Sequence, residues 1–136
     1  MIGKGITKAR HLAMGKCLAI AALSMSSCTP SFRSVEPGRF RQAMEHEGSL
    51  LIDVRHVDEY EDGHIPGAML VDIADGDFCH KVDSIVGERS AADIPTDTIL
   101  VYCKGGIRSR EAAEMLSGKG YNVIDLNGGF LNWSKQ

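Results

Sequence analysis

The sequence predicts an α/β fold in which helices cover both faces of a parallel sheet. Short apolar runs alternate with stretches of helical spacing from residue 36 to the C-terminus. The two central runs, 49–54 and 98–102, are apolar almost throughout, which is typical of strands buried on both faces. A chain of 136 residues, 43% hydrophobic and 24% charged, has room for one such core.

The first helix and four strands follow one another along the chain. Phe40, Ala43 and Met44 have the i, i+3, i+4 spacing of a helix face. Pro37 stands near the start of this helix, where proline is tolerated, and the helix is expected to end near Gly48. Four apolar runs predict the strands: 49–54, 68–71, 98–102 and 121–125.

Helices are expected between these strands. One covers 57–61, a second with poorly defined bounds lies within 75–86, and a third covers 108–117. The last begins at Gly129 and carries Phe130 and Trp133 on one face. Ligands of such sheets bind beyond the carboxyl ends of the strands. The residues to inspect for function therefore follow the strands directly: Arg55 and His56, Asp72, Cys103 onward, and 127–129.

Charge separates the N-terminal segment from the remainder. Residues 1–34 contain five Lys or Arg and no Asp or Glu, although the whole chain has a formal net charge of -3. The basic start precedes the apolar run 17–23 and then small residues, which is the order of a secretory signal. The run is too short for a transmembrane helix, which needs about 20 residues. We therefore expect a signal peptide at 1–27, a tether at 28–37 and a folded domain at 38–136.

The end of the expected signal, Met25-Ser26-Ser27-Cys28, resembles the lipobox of bacterial lipoproteins. In a lipobox the cysteine receives lipid and becomes the new N-terminus. The resemblance implies an exported protein of the bacterial cell envelope, anchored to a membrane on the periplasmic side through lipid on Cys28. The alternative is an incidental thiol after ordinary cleavage. Cys79 and Cys103 then remain in the domain, too few for a disulfide framework.

The loop after the strand 98–102 contains the residues best suited to catalysis. A cysteine acts as a nucleophile in its thiolate form. Helix N-termini and nearby cations favour that form, because they lower the pKa of a cysteine from about 8.5 to roughly 3.5–7.5. Cys103 precedes a predicted helix, and Gly105 and Gly106 allow the backbone to curl into an anion nest around the sulfur. Arg108 adds a permanent charge that can hold an anion. The loop predicts a nucleophilic cysteine, and the alternative is a structural corner with a buried thiol.

Four motifs in order resemble the single-domain rhodaneses, the thiosulfate sulfurtransferases. The motifs are Leu51-Ile52-Asp53-Val54-Arg55, Gly63-His64-Ile65-Pro66-Gly67-Ala68, the run from Cys103 to Ser109, and Leu126-Asn127-Gly128-Gly129 with Trp133. The resemblance covers about Val35 to the C-terminus. It implies the rhodanese-like α/β fold and a sulfurtransferase activity.

The resemblance also implies a two-step reaction at Cys103. The thiolate takes the outer sulfur of thiosulfate or a similar small anionic donor, and a thiol or cyanide acceptor removes it from the persulfide. The implied substrate-binding residues are Lys104, Gly105, Gly106, Ile107, Arg108 and Ser109, the two cations holding the donor and the backbone N–H groups of 105–109 holding the persulfide. No cofactor, metal or nucleic-acid partner is expected, and the protein is expected to be a monomer.

Two alternatives remain at this stage. Phosphatases and arsenate reductases of the related fold have a loop one residue longer from Cys to Arg, which accommodates a tetrahedral oxyanion. Cys103 to Arg108 spans six residues, which favours a sulfur atom. The second alternative is a non-catalytic persulfide carrier or binding module, in which the loop persists without turnover.

Three polar groups are expected to support the structure. His64 should bond to the backbone of its turn rather than act on the thiol. Asp53 and Arg55 should form an ion pair that braces the loops. Arg110 should pair on the surface with Glu114, one helical turn further on.

Overall fold

The computed structural model describes residues 31–136, which form one parallel sheet with helices on both faces, so the predicted fold class is confirmed. None of the helices within 31–136 has the length and hydrophobicity that a membrane span requires. The elements in chain order are β1 (Arg33–Val35), α1 (Pro37–Met44), β2 (Ser49–Asp53), α2 (Val57–Asp62), β3 (Met69–Leu70), α3 (Phe78–Ala91), β4 (Thr98–Tyr102), α4 (Ile107–Gly118), β5 (Val123–Leu126) and α5 (Gly129–Trp133).

The strands lie in the order β1-β5-β4-β2-β3, and every neighbouring pair is parallel. Successive side chains of a strand point to opposite faces. Along β4, Ile99 and Val101 therefore enter one apolar cluster, and Leu100 and Tyr102 enter the other. This burial on both faces is the reason that the central strands are almost continuously apolar.

Helices α3 and α4 cover one face of the sheet, and α1, α2 and α5 cover the other. Phe78 and Val82 of α3 pack with Ala112 and Leu116 of α4 on the face that also receives Cys103. Phe40 of α1 packs on the other face, with Phe130 and Trp133 of α5 beside it. Since all strands are parallel, their carboxyl ends meet at one edge, and the loops that follow β2, β4 and β5 converge there.

The structure departs from the predicted elements mainly at β1 and α3. Residues 33–35, expected in the tether, form β1 and pair with 124–126 of β5. The sequence of β1 has a weak strand pattern, because Arg33 and Ser34 are exposed and Val35 alone is apolar. Helix α3 has 14 residues and extends well beyond 86, with only Phe78 and Val82 fully buried, so the apolar spacing marked its bounds poorly.

A smaller difference concerns α1, which stops at Met44 rather than near Gly48, whereas α5 begins at Gly129 as predicted. The predicted signal peptide, including the lipidation site Cys28, lies outside the described residues.

Candidate active site

Strand β4 and helix α4 hold Cys103 between them. The residue follows Tyr102 directly, and only 103–106 separate β4 from α4. The backbone N–H of Gly106 donates a hydrogen bond to Cys103 Sγ at 3.0 Å, and Cys103 is only 1% exposed. Gly106 has φ +104°, a conformation that glycine adopts without strain. The sulfur thus meets a backbone dipole at the N-terminus of a 12-residue helix, which stabilises negative charge on it.

The start of α5 supports the same loop from the other side. The N–H groups of Phe130 and Leu131 donate to the carbonyl oxygens of Cys103 and Lys104 at 2.8 and 3.1 Å. A Cβ atom at Gly129 would lie 2.6 and 2.5 Å from those two oxygens, and its φ is +63°. Glycine at 129 is therefore required for the close approach of α5 to the cysteine loop.

A carboxylate from α2 holds the arginine of the loop. Arg108 donates from its two terminal nitrogens to both oxygens of Glu59, at 2.7 and 2.8 Å. The Arg108 guanidinium lowers the pKa of Glu59 to about 2, although partial burial opposes this, and the pair raises the pKa of Arg108. Glu59 also accepts the backbone N–H of His56 at 3.2 Å, which fixes it to the start of α2.

Glu59 was missed in the sequence. The signal that could have identified it was its place in the first helical turn after β2, at the edge of the sheet where ligands bind.

Asp53 and Arg55 form the ion pair that the sequence predicted. Arg55 Nη2 lies 2.7 Å from Asp53 Oδ2 and also donates to the carbonyl oxygen of Gly63 at 2.7 Å. Both side chains are buried, and the guanidinium lies 4.6 Å from the centre of the Phe130 ring. The pair thus joins the end of β2, the turn at Gly63 and helix α5.

A cleft of about 180 Å³ opens beside the loop. It is lined by Arg55, Glu59, Asp62, Lys104, Phe130 and Leu131, among others. Cationic, acidic and apolar side chains therefore meet within one small volume. In the described range 31–136, no group of three His, Cys, Asp or Glu side chains is placed to hold a metal ion.

The remaining predicted site residues differ in exposure. Lys104 and Gly105 are exposed at the surface, and Ile107 is 82% exposed. Ser109 is buried, and its hydroxyl donates to the carboxylate of Asp125 at 2.5 Å. Ser109 therefore joins the first turn of α4 to β5 through its side chain.

Asp125 is, like Asp53, a buried acid. The sequence did not identify it as a candidate site residue. It accepts hydrogen bonds from Ser109 and, at 2.7 Å, from Ser34 of β1, and its side chain is fully buried. Burial raises the pKa of Asp125, and the two hydroxyl groups oppose that rise. The carboxylate thus connects β1 with the helix that follows Cys103.

Two surface predictions have different outcomes. His64 Nδ1 lies 2.9 Å from the carbonyl oxygen of Tyr60, so the predicted bond to backbone is confirmed. Arg110 does not pair with Glu114 as predicted. It donates to Asn127 Oδ1 at 3.2 Å and lies 3.8 Å from Asp125, because the end of β5 brings these acceptors to the start of α4.

The family model of the rhodanese-like domain matches residues 36–136. The chain belongs to the rhodanese-like domain family. The match includes β2, the Gly63–Ala68 turn, the Cys103 loop and α5, so it covers every element that builds the site.

Three known proteins are similar to this chain to different degrees. A tRNA uridine(34) hydroxylase of Bacillus mycoides is 34% identical over 102 residues, which are 74% of this chain and 31% of that relative. A rhodanese-related protein from Thermoplasma volcanium is 25% identical with a TM-score of 0.55, covering 76% of this chain and 92% of that one. An As-Sb reductase from Leishmania major is similar in fold, with 15% identity, a TM-score of 0.60 and coverage of 77% and 78%. The chain thus spans about a third of the length of the curated relatives.

Proposed function

We propose that this protein is a sulfurtransferase that moves a sulfane sulfur from thiosulfate or a similar donor to a thiophilic acceptor through a Cys103 persulfide. The observation that carries the proposal is the 3.0 Å hydrogen bond from the Gly106 N–H to Cys103 Sγ at the start of α4. This hydrogen bond directs a backbone N–H at the sulfur, and the thiolate is the form of cysteine that acts as a nucleophile. Membership of the rhodanese-like domain family supports the same chemistry.

The reaction has two displacement steps at sulfur. The Cys103 thiolate attacks the outer sulfur of the donor, a new S–S bond forms, and the old bond breaks with its electron pair leaving on sulfite. The persulfide is then attacked at its outer sulfur by cyanide or a thiol, and the electron pair of the broken bond restores the Cys103 thiolate. With cyanide as the acceptor, neither step transfers a proton, and the backbone N–H of Gly106 is placed to hydrogen-bond the sulfur of Cys103.

The cations of the loop have separate roles in this scheme. Lys104 lines the cleft beside the loop and is exposed, so it is the cation that an arriving anionic donor meets. Arg108 contributes a planar group with several donors near the sulfur. Its pairing with Glu59 means that a donor must share Arg108 with a carboxylate already bound to it.

The alternatives have weaker support. The six residues from Cys103 to Arg108 favour sulfur over a tetrahedral oxyanion, and likeness to the As-Sb reductase at 15% identity concerns the fold alone. The curated relatives carry the name tRNA uridine(34) hydroxylase, but this chain matches 31% of their length. A persulfide carrier without turnover would share the first displacement step and lack the second.

The first test is the intact mass of the protein after incubation with thiosulfate and removal of the donor. A stable persulfide adds one sulfur atom, roughly 32 Da, as expected of a covalent scheme. Cys103→Ser should show no gain in mass, abolish transfer of sulfur to cyanide and retain its circular dichroism spectrum. Sulfur transfer by that variant at the wild-type rate would refute the assignment. A mass gain without cyanide turnover would identify a carrier.

We also propose that the protein is a monomer of the bacterial cell envelope, attached to the membrane by lipid on Cys28. The support is the lipobox-like sequence Met25-Ser26-Ser27-Cys28 after the apolar run 17–23. Cys28→Ala should move the protein from the membrane fraction to the soluble fraction of cells. Cys79→Ala is the matched control and should fractionate as the wild type. Unchanged fractionation of Cys28→Ala would show that Cys28 is not the anchor.

A further inference from the structure

We infer that Glu59 makes this site select sulfane donors by charge, favouring singly charged organic donors over the thiosulfate dianion. The inference rests on the sulfur transfer proposed above and adds the donor class. Three features carry it: the pairing of Glu59 with Arg108, the balance of charge in the cleft, and the apolar side chains beside Lys104.

Glu59 occupies the face of Arg108 that is best suited to bind an anion. The two contacts of 2.7 and 2.8 Å use one nitrogen for each carboxylate oxygen, the bidentate geometry that an oxyanion would otherwise adopt. Glu59 is itself held by the N–H of His56, so it does not move freely away. A dianion that approaches Arg108 therefore meets a fixed negative charge.

The other charges near the cleft are balanced as well. Arg55 is neutralised by buried Asp53 at 2.7 Å. Lys104 forms no ion pair among residues 31–136, but Asp62 lines the same cleft. Each cation of the site thus has a carboxylate nearby, and the side chains supply no excess positive charge for a doubly charged donor.

The charge of the donor affects the first displacement step, because the attacking thiolate is also an anion. With thiosulfate, the thiolate meets a dianion, and sulfite leaves as a dianion with the electron pair of the broken S–S bond. With an organic thiosulfonate, the thiolate meets a monoanion, and a sulfinate monoanion leaves in the same way. The same Cys103 persulfide forms in both cases, but the second reaction brings less negative charge beside Glu59.

Apolar side chains give an organic substituent a place to bind. Phe130 and Leu131 line the cleft together with Lys104, and Leu131 is 52% exposed. Ile107, the first residue of α4, is 82% exposed. An alkyl or aryl group on the donor can cover this surface, whereas thiosulfate has no such group.

The test compares two donors in the full-length protein, sodium thiosulfate and benzenethiosulfonate, with cyanide as the acceptor at fixed low ionic strength. We expect kcat/KM to be higher for benzenethiosulfonate. Glu59→Gln should raise kcat/KM for thiosulfate about fivefold relative to benzenethiosulfonate, the effect of one unit charge a few Å away in a solvated site. Added salt should reduce this gain because it screens the charge.

Two further variants separate local charge from other effects. Glu59→Asp retains the carboxylate and should keep the wild-type donor preference. Glu61→Gln removes the same charge from an exposed position of α2 and should leave the donor ratio unchanged. A wild-type preference for thiosulfate, an unchanged ratio in Glu59→Gln, or an equal change in Glu61→Gln would overturn the role of Glu59 while sulfur transfer stands. Absence of a Cys103 persulfide with both donors would overturn the sulfurtransferase proposal and this inference together.

Discussion

Two arginine–carboxylate pairs at the carboxyl edge of the sheet, Asp53–Arg55 and Glu59–Arg108, differ in burial. The side chains of Arg55 and Asp53 are 4% and 0% exposed, whereas those of Arg108 and Glu59 are 29% and 23% exposed. A buried charge without its partner costs several kcal/mol, but a partly exposed charge can turn to water. The Asp53–Arg55 pair therefore holds the architecture, whereas the Glu59–Arg108 pair is the one that a molecule arriving from solvent can reach.

The largest expected effect is at the buried pair. Asp53→Asn preserves the shape but leaves the Arg55 charge uncompensated, so it should lower the free energy of unfolding by about 3–5 kcal/mol. Urea unfolding measures this, with Glu59→Gln as the matched change at the other pair, expected to cost below about 1 kcal/mol. Equal losses in the two variants would show that the burial difference does not separate the pairs.

The next effect concerns activity at the exposed pair. Arg108→Ala should reduce kcat/KM for thiosulfate about 10- to 100-fold, because a charged hydrogen bond is worth about 1.5–3 kcal/mol and Glu59 loses its counter-ion. Steady-state kinetics with cyanide measures the loss, and Arg110→Ala on the same helix is the control. If Arg108→Ala lowered the melting temperature as much as Asp53→Asn and left kcat/KM unchanged, Arg108 would be structural.

The smallest effect is the pH dependence of the Glu59–Arg108 pair. The pKa of Glu59 is lowered from 4.5 to about 2 in the folded protein. As the pH falls, the unfolded chain takes up this proton first, so the contribution of the pair is complete above about pH 4.5 and is lost as the pH approaches 2. The stability difference between wild type and Glu59→Gln, itself below about 1 kcal/mol because partial exposure screens the pair, should therefore become smaller between pH 6 and 2.5. Denaturant unfolding at each pH checks this, and a constant difference would contradict it.

Patterns within single segments were sufficient to predict the central strands and the position of the cysteine loop. Strand β4 was predicted at 98–102 and lies at Thr98–Tyr102, because burial on both faces demands a continuous apolar run. The position of Cys103 follows from that strand and from the helix after it. Local signals did not identify β1, since its three residues pair with the backbone of β5 and only Val35 adds an apolar side chain to the core.

The sequence by itself determined the α/β class, the order of the main elements and the place of Cys103 between a buried strand and a helix. These properties depend on residue type and on spacing within single segments. Only the tertiary structure decided that Glu59 binds Arg108, that Arg110 turns to Asn127 rather than Glu114, and that Asp125 joins Ser34 to Ser109. These partners lie far apart in the chain or compete with nearer ones. The convergence of strand ends at one edge of the sheet selects among them, because it sets which side chains come within hydrogen-bond distance.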